Sequence, residues 1–158
     1  MGKPTTVHST FVLERSFAAT PEKVFTAFSD PSSKRRWNFE SDTHELKHHE
    51  LDFRVGGGER AQMVFPDNGT PVAGLTLKLE SVFQEIAPGR LIVWAYRMEI
   101  GGRCITASLA TVEMLPSPAG SDLILTHQGA YFEGADGPEM RKGGWTSLLG
   151  NLAKELGE

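Results

Sequence analysis

His127 is the histidine best placed to meet a ligand. It has the same parity as Leu123 and Leu125 in one candidate strand, so all three side chains point to one side of a sheet. An imidazole with a pKa of about 6.5 can orient a ligand or shuttle a proton, but it can also be a satisfied core residue. Tyr96 is the one residue that the sequence offers to complete an acid–base pair with His127.

Aromatic side chains are numerous for one small chain, which has nine Phe, three Trp and two Tyr. Any one of them is explained as ordinary core. As a set, Trp94, Tyr96 and Trp145 predict the wall of a cavity that stacks on an apolar or aromatic ligand, since Trp and Tyr also bring polar tips. The predicted ligand contacts are Trp37, Phe53, Met63, Phe65, Trp94, Tyr96, His127, Tyr131, Trp145 and Leu149.

Three other histidines and one arginine offer weaker signals. His44, His48 and His49 are close in sequence, but no cysteine or HExxH pattern accompanies them, so we predict a polar strand or loop and no metal. The planar fork of Arg54 suits a carboxylate or phosphate, and we favour a structural ion pair with a neighbouring carboxylate. No nucleotide or dinucleotide fingerprint is present, and no cofactor and no catalytic residue are assigned.

An amphipathic helix predicted over residues 138–156 must form part of the wall of this cavity. Asp136 is the predicted N-cap, Pro138 lies in the first turn, and Gly157 ends the helix. Its apolar side chains fall on one stripe. They are Trp145, Leu148, Leu149, Leu152, Ala153 and Leu156.

The chain before this helix reads mostly as strands. After the first strand, Thr20 and Asp30 predict the N-caps of two short helices, the second reaching about Trp37. Asp67-Asn68-Gly69 is a strong hairpin signal. The connections are too short for parallel crossovers, which predicts an antiparallel meander of about seven strands. The predicted strands are residues 9–17, 45–54, 59–65, 72–83, 91–99, 104–115 and 122–130.

The predicted fold class is α+β, a curved antiparallel sheet gripping the last helix. A curled sheet around one helix rarely closes tightly along its whole length, so a cavity between them is expected. Gly143 and Gly144 remove side chains from the first turns of that helix, at a cost of roughly 1 kcal/mol each. They either let the backbone approach the sheet or leave room for a ligand.

Composition limits the classes of function. A length of 158 residues predicts a single domain, residues 1–158, and a formal charge of −4 argues against a nucleic-acid or anionic-membrane partner. No apolar run approaches the ~18 residues of a membrane span, and the start lacks the apolar core of a secretory signal. Cys104 is the single cysteine, which fits a reducing compartment, and we predict a cytoplasmic protein.

The chain resembles the START-like (SRPBCC) superfamily, in the branch named after the activator of the heat-shock protein 90 ATPase. The resemblance implies a helix-grip fold around a hydrophobic cavity and supports a polar group at His127. It implies no single activity, because the superfamily includes lipid carriers, hormone receptors and polyketide cyclases. The segments that carry it are RSFAATPEKVF at 15–25, DP at 30–31, W at 37, DFRVGG at 52–57, PGRLIVWAY at 88–96, LILTHQG at 123–129, GW at 144–145 and LL at 148–149.

Three functions are compatible with these observations, in order of preference. The first is binding of a small hydrophobic or aromatic ligand between the last helix and the sheet, with Tyr96 and His127 holding its polar end. The second is an enzyme of the cyclase, dehydratase or hydrolase kind in the same cavity. The third is a module that binds a chaperone, as the family name suggests. A homodimer is left open.

Overall fold

Seven antiparallel strands form one curved, open sheet in the computed structural model, which describes residues 2–158. The strand order is β1-β7-β6-β5-β4-β3-β2, so the first and second strands form the two edges. The strands are β1 Val7–Phe17, β2 Glu45–Leu51, β3 Gly58–Val64, β4 Thr76–Ala87, β5 Leu91–Ile100, β6 Arg103–Ser117 and β7 Gly120–Tyr131. The predicted α+β helix-grip fold is confirmed.

Two short helices follow β1, as predicted. The hydroxyl of Thr20 caps α1 (Pro21–Ser29), and the carboxylate of Asp30 accepts a 2.9 Å hydrogen bond from the amide of Ser33 at the start of α2 (Pro31–Lys34). The chain then continues as a π-helical turn, Arg35–Phe39. This turn directs the side chains of Trp37 and Phe39 into the interior, where both are buried.

The connection between β3 and β4 is longer than the sequence predicted. Asp67-Asn68-Gly69 was the expected hairpin turn between strands at 59–65 and 72–83, but β4 begins only at Thr76. Phe65 exchanges backbone hydrogen bonds with Gly74 and Leu75, which closes the base of the loop. Prolines at positions 66 and 71 cannot donate to the strand ladder, so the loop leaves the sheet before the Asn-Gly pair is reached.

The last helix, α3, spans Pro138–Glu155. The prediction that Asp136 caps it is wrong, because Gly137 occupies the N-cap position and no side chain bonds there. Asp136 instead pairs with Arg141, one turn inside the helix. A charged partner on the buried face of the first turn therefore draws the carboxylate away from the helix amides.

The end of α3 agrees with the prediction. Gly157 has φ of 83°, the left-handed conformation that stops helices. The next residue, Glu158, reaches the junction between β1 and α1, where its carboxylate accepts hydrogen bonds of 2.7 and 3.1 Å from the amides of Ala18 and Ala19. These bonds tie the end of the last helix to the beginning of the fold.

The core lies between α3 and the inner face of the sheet. Trp145, near the middle of α3, packs against Trp94 with ring centroids 6.1 Å apart. Leu149 and Leu152 continue the buried stripe, while Leu148 and Leu156 pack at its margins. Among residues 2–158, no helix has the length and hydropathy that a membrane crossing requires.

Candidate functional site

Tyr96 and His127 lie next to each other on the inner face of the sheet. The hydroxyl of Tyr96 is 2.7 Å from Nε2 of His127, and both side chains are buried. The imidazole stacks on Phe11 of β1, with centroids 4.8 Å apart and planes inclined by 9°. The two residues that the sequence suggested as a pair are therefore in direct contact.

A third residue, Arg141 of α3, fixes the proton positions in this pair. Its Nη1 lies 3.1 Å from the hydroxyl oxygen of Tyr96. A guanidinium only donates hydrogen bonds, so the hydroxyl oxygen of Tyr96 accepts this one. The hydroxyl hydrogen of Tyr96 can then be donated to Nε2 of His127. His127 then carries its own proton on Nδ1, which has no partner within residues 2–158.

The environment holds His127 neutral at neutral pH. Burial is the main cause, and the positive charge of Arg141 adds to it; together they lower the pKa of His127 from 6.5 to about 4. A neutral imidazole can accept the hydrogen bond from the Tyr96 hydroxyl at Nε2. It is poorly suited to being a general base at neutral pH, because its affinity for a proton is low.

Arg141 is itself held by the carboxylate of Asp136 in a bidentate ion pair. Nε and Nη2 each lie 2.8 Å from one oxygen of Asp136. Nη2 also donates to Thr106 Oγ1 at 3.1 Å and approaches the sulfur of Met98 at 3.4 Å. The buried guanidinium is thereby neutralised and fixed in orientation before any ligand arrives.

An open pocket of about 360 Å³ adjoins this cluster. It lies between residues 140–151 of α3, the inner face of β4 and β5, and residues 38–44, and Tyr96 and Arg141 form part of its wall. Gly144 opens onto it, and an added Cβ there would meet no atom within 4 Å. The apolar part of the wall comes from Leu79, Met98, Met140, Trp145 and Leu148.

The predicted contact residues fall into two groups. Tyr96 and Trp145 line the pocket, with His127 directly behind Tyr96. The others lie in the core or at its margin. Trp94 and Leu149 are buried beside Trp145, and Tyr131 folds over Gly129. The indole of Trp37 donates a hydrogen bond to the carbonyl of Ala27, and Met63 packs with Phe39. Phe53 packs on Phe25 and Phe83, and Phe65 lies at the base of the β3–β4 loop.

A second buried polar cluster stands under α2, away from the pocket. Lys34 Nζ lies 2.7 Å from one oxygen of Glu59, and His49 Nε2 lies 2.9 Å from the other. Burial of the Glu59 carboxyl opposes ionisation, but Lys34 and His49 outweigh it and keep its pKa below the ordinary value. Rings of Trp37 and Phe39 face the ammonium at 5.6 and 5.3 Å, which favours its positive charge.

Arg54, His48 and His49, which the sequence also singled out, do not line the pocket. Arg54 forms a 2.9 Å ion pair with Asp52, and both are exposed. A bulge between Leu46 and His48 shifts the register of β2, which leaves His48 exposed while His49 is buried on Glu59.

Comparison with known proteins places this architecture in a family. Residues 18–157 match the family described as Activator of Hsp90 ATPase homolog 1-like protein, AHSA1. The chain is an AHSA1-family protein. The match covers the pocket, both buried clusters and all of α3.

Solved structures of similar proteins have the same fold. The AHSA1 chain is 41% identical to Mll3558 from Rhizobium loti, with a TM-score of 0.84 and coverage of 96% of this chain and 99% of that one. A protein from Rhizobium leguminosarum is 32% identical, with a TM-score of 0.88 and coverage of 96% and 95%. The AHSA1 protein from Silicibacter pomeroyi is 26% identical, with a TM-score of 0.72 and coverage of 94% and 98%. No curated protein matches the chain.

Sequence reasoning missed the charged half of the site in this AHSA1 protein. Arg141 precedes Trp145 by four residues and so continues the buried stripe of α3 by one turn. A charged residue on an apolar stripe needs a buried partner. The spacing of Arg141 from Trp145 could therefore have predicted a buried ion pair at this position. Thr106 gave no comparable signal, because its role depends on which strands are neighbours.

The two tyrosines of this AHSA1 protein should respond differently to loss of their hydroxyls. Tyr96→Phe leaves both Arg141 Nη1 and His127 Nε2 without a partner, so we expect a loss of about 2 kcal/mol in the free energy of unfolding. Tyr131→Phe should be neutral or slightly stabilising, because its buried hydroxyl has no partner among residues 2–158. Urea unfolding of both variants measures the difference, and equal losses would contradict the assigned hydrogen bonds.

Proposed function

We propose that this AHSA1 protein binds a small hydrophobic or aromatic ligand in the pocket between α3 and the sheet. The observation that carries the proposal is an open pocket of about 360 Å³ whose wall is largely apolar by area and includes the fixed polar groups of Tyr96 and Arg141. Volumes of about 300–1,000 Å³ with few polar groups are typical of small-molecule sites. The fold family commonly binds hydrophobic ligands, which supports the same function.

The glycine pair in α3 gives a second line of support. Neither Gly143 nor Gly144 is packed against the sheet, since an added Cβ at either position meets nothing within 4 Å. Close backbone approach is therefore not the reason for the pair. Gly144 borders the pocket whereas Gly143 does not, so space for a ligand accounts for one of the two glycines.

The proposal is tested by filling the pocket from Gly144. Gly144→Leu places an isobutyl group in the pocket, and we expect the affinity for the neutral fluorescent probe Nile red to fall about tenfold or more, equivalent to ~1.4 kcal/mol. Gly143→Leu is the matched control, one residue away and outside the pocket. Both variants should gain about 1 kcal/mol of stability, because leucine is the better helix former. Fluorescence titration compares the two with the unchanged protein.

Two results would contradict binding at this site. One is the absence of saturable Nile red fluorescence with the unchanged protein. The other is an equal response of both leucine variants, which would put the probe elsewhere on the surface. Because the two substitutions have the same effect on helix propensity, a difference between them cannot be attributed to stability.

The enzyme alternative has less support than binding. Tyr96 and His127 are in hydrogen-bond contact, as the acid–base pair would require. Only Tyr96 reaches the pocket, however, and the lowered pKa of His127 weakens it as a base. The chaperone-binding module, the homodimer and the cytoplasmic location stay predictions from the sequence.

A further inference from the structure

We propose that the pocket selects a neutral ligand whose polar end is a hydrogen-bond acceptor of the carbonyl type, and that it disfavours a carboxylate. This inference rests on the proposed function and adds the chemical class of the ligand. An arginine at the end of an apolar pocket would ordinarily indicate an anion-binding site. Here the geometry around Arg141 points to the opposite preference.

The first step is to account for the five N–H groups of Arg141. Nε and one hydrogen of Nη2 are taken by Asp136, the other hydrogen of Nη2 by Thr106, and one hydrogen of Nη1 by Tyr96. Within residues 2–158, these bonds leave one N–H on Nη1. A ligand in the pocket can therefore receive one hydrogen bond from the guanidinium, and not the two parallel bonds with which arginine holds a carboxylate.

The second step concerns the hydroxyl of Tyr96. Its oxygen accepts from Arg141 and its hydrogen is directed to His127. It has no proton left to offer to a ligand oxygen in this arrangement. Of the polar groups that Tyr96 and Arg141 contribute to the pocket wall, the remaining N–H of Arg141 is then the one left to donate, and a single acceptor atom complements it.

The third step is the charge that a ligand would meet. The carboxylate of Asp136 shares the guanidinium and also borders the pocket. Glu40, at the other side of the pocket, is a second acidic residue and pairs with Arg35 on the surface. A ligand carboxylate would lie beside Asp136 on a buried arginine whose charge is already neutralised, so the two carboxylates would repel each other. A carbonyl oxygen accepts the same bond without this repulsion.

The preference is tested with two naphthalene derivatives substituted at the same ring position. Acetylnaphthalene carries a neutral carbonyl, and naphthoate carries a carboxylate on the same apolar body. In displacement of Nile red at neutral pH, we expect acetylnaphthalene to bind at least about tenfold more tightly, a difference of ~1.4 kcal/mol. Equal affinities, or tighter binding of naphthoate, would overturn the inference. This comparison needs only the unchanged protein.

Asp136→Asn tests the cause of the preference. The substitution keeps the shape and one acceptor for Arg141 but removes the competing negative charge. Naphthoate should then gain about tenfold in affinity, whereas acetylnaphthalene should change by less than about threefold. Glu139→Gln is the control, because Glu139 is exposed in the first turn of α3, three residues after Asp136, and its substitution removes the same charge outside the pocket. An equal gain in both variants would mean a general charge effect and would refute the role of Asp136.

Failure of the inference can be told apart from failure of the proposed function. If Nile red binds and Gly144→Leu blocks it, but naphthoate is the preferred competitor, the pocket is a ligand site and the chemical class is wrong. If neither Nile red nor either naphthalene derivative binds, both the proposed function and the inference are refuted.

Discussion

Glu59→Gln should lower the free energy of unfolding by about 3 kcal/mol, the largest effect that we expect from a polar substitution in this protein. Glu59 and Lys34 each have about 7% of the side chain exposed and lie 2.7 Å apart. The amide oxygen that replaces the carboxylate can still accept a hydrogen bond from Lys34, but no negative charge remains to compensate the buried ammonium, which otherwise faces aromatic rings. The cost is therefore that of an uncompensated buried charge. Urea unfolding at neutral pH measures it.

The double variant Lys34→Met/Glu59→Gln separates this cause from a simple loss of packing. The double variant also removes the uncompensated positive charge of Lys34, so it should be about 2 kcal/mol more stable than Glu59→Gln alone. Asp52→Asn provides the control in the exposed pair with Arg54, where we expect a loss below about 1 kcal/mol. A double variant less stable than the single one would show that Lys34 stabilises the fold by some other means.

Stability should also fall by about 3 kcal/mol as the pH drops from 6.5 to about 4, through His127 alone. The folded protein keeps this imidazole neutral until the pH approaches about 4, whereas the unfolded chain takes up the proton near 6.5. Below 6.5 the unfolded state therefore binds more protons, and protonation favours unfolding. Above 6.5 both states are neutral, and His127 contributes no pH dependence.

Comparison with His127→Gln isolates this contribution from that of the carboxylates. The variant cannot take up a proton at this position, and its amide oxygen can still accept from Tyr96. The stability difference between the two proteins should therefore change by about 3 kcal/mol between pH 6.5 and about 4. His8→Gln, at an exposed position of β1, controls for the loss of a histidine in general. Parallel pH profiles for the unchanged protein and His127→Gln would contradict the neutral buried imidazole.

Local sequence was sufficient for much of the fold. Caps at Thr20 and Asp30, the stop at Gly157 and the alternation in most of the strands depend on neighbours within a few residues. The length of the β3–β4 loop was not predictable in this way. It is decided by the pairing of Phe65 with Leu75, and this pairing across the loop leaves no local pattern.

The site was predictable in its aromatic half and not in its charged half. Tyr96, His127 and Trp145 were found because parity and helical spacing place them on the inner faces of their elements. Asp136 was misassigned, since an acidic residue before a helix is ordinarily a cap, and its pairing with Arg141 depends on which face of α3 meets the sheet. Lys34 and Glu59 are 25 residues apart, and nothing in the local sequence links them.

The π-helical turn at Arg35–Phe39 makes the shape of the pocket sensitive to the length of this segment, because residues 38–44 form part of the pocket wall. A π-turn corresponds to one residue more than an α-helical path would use. Deleting a single residue there would let the segment relax to α-geometry and rotate the next part of the chain by about 100°. Asn38, Ser41 and His44, which line the pocket, would then face other directions. A protein of this fold with one residue fewer in this turn would accordingly have a pocket of different shape and accept a different ligand, although its sheet and last helix would be the same.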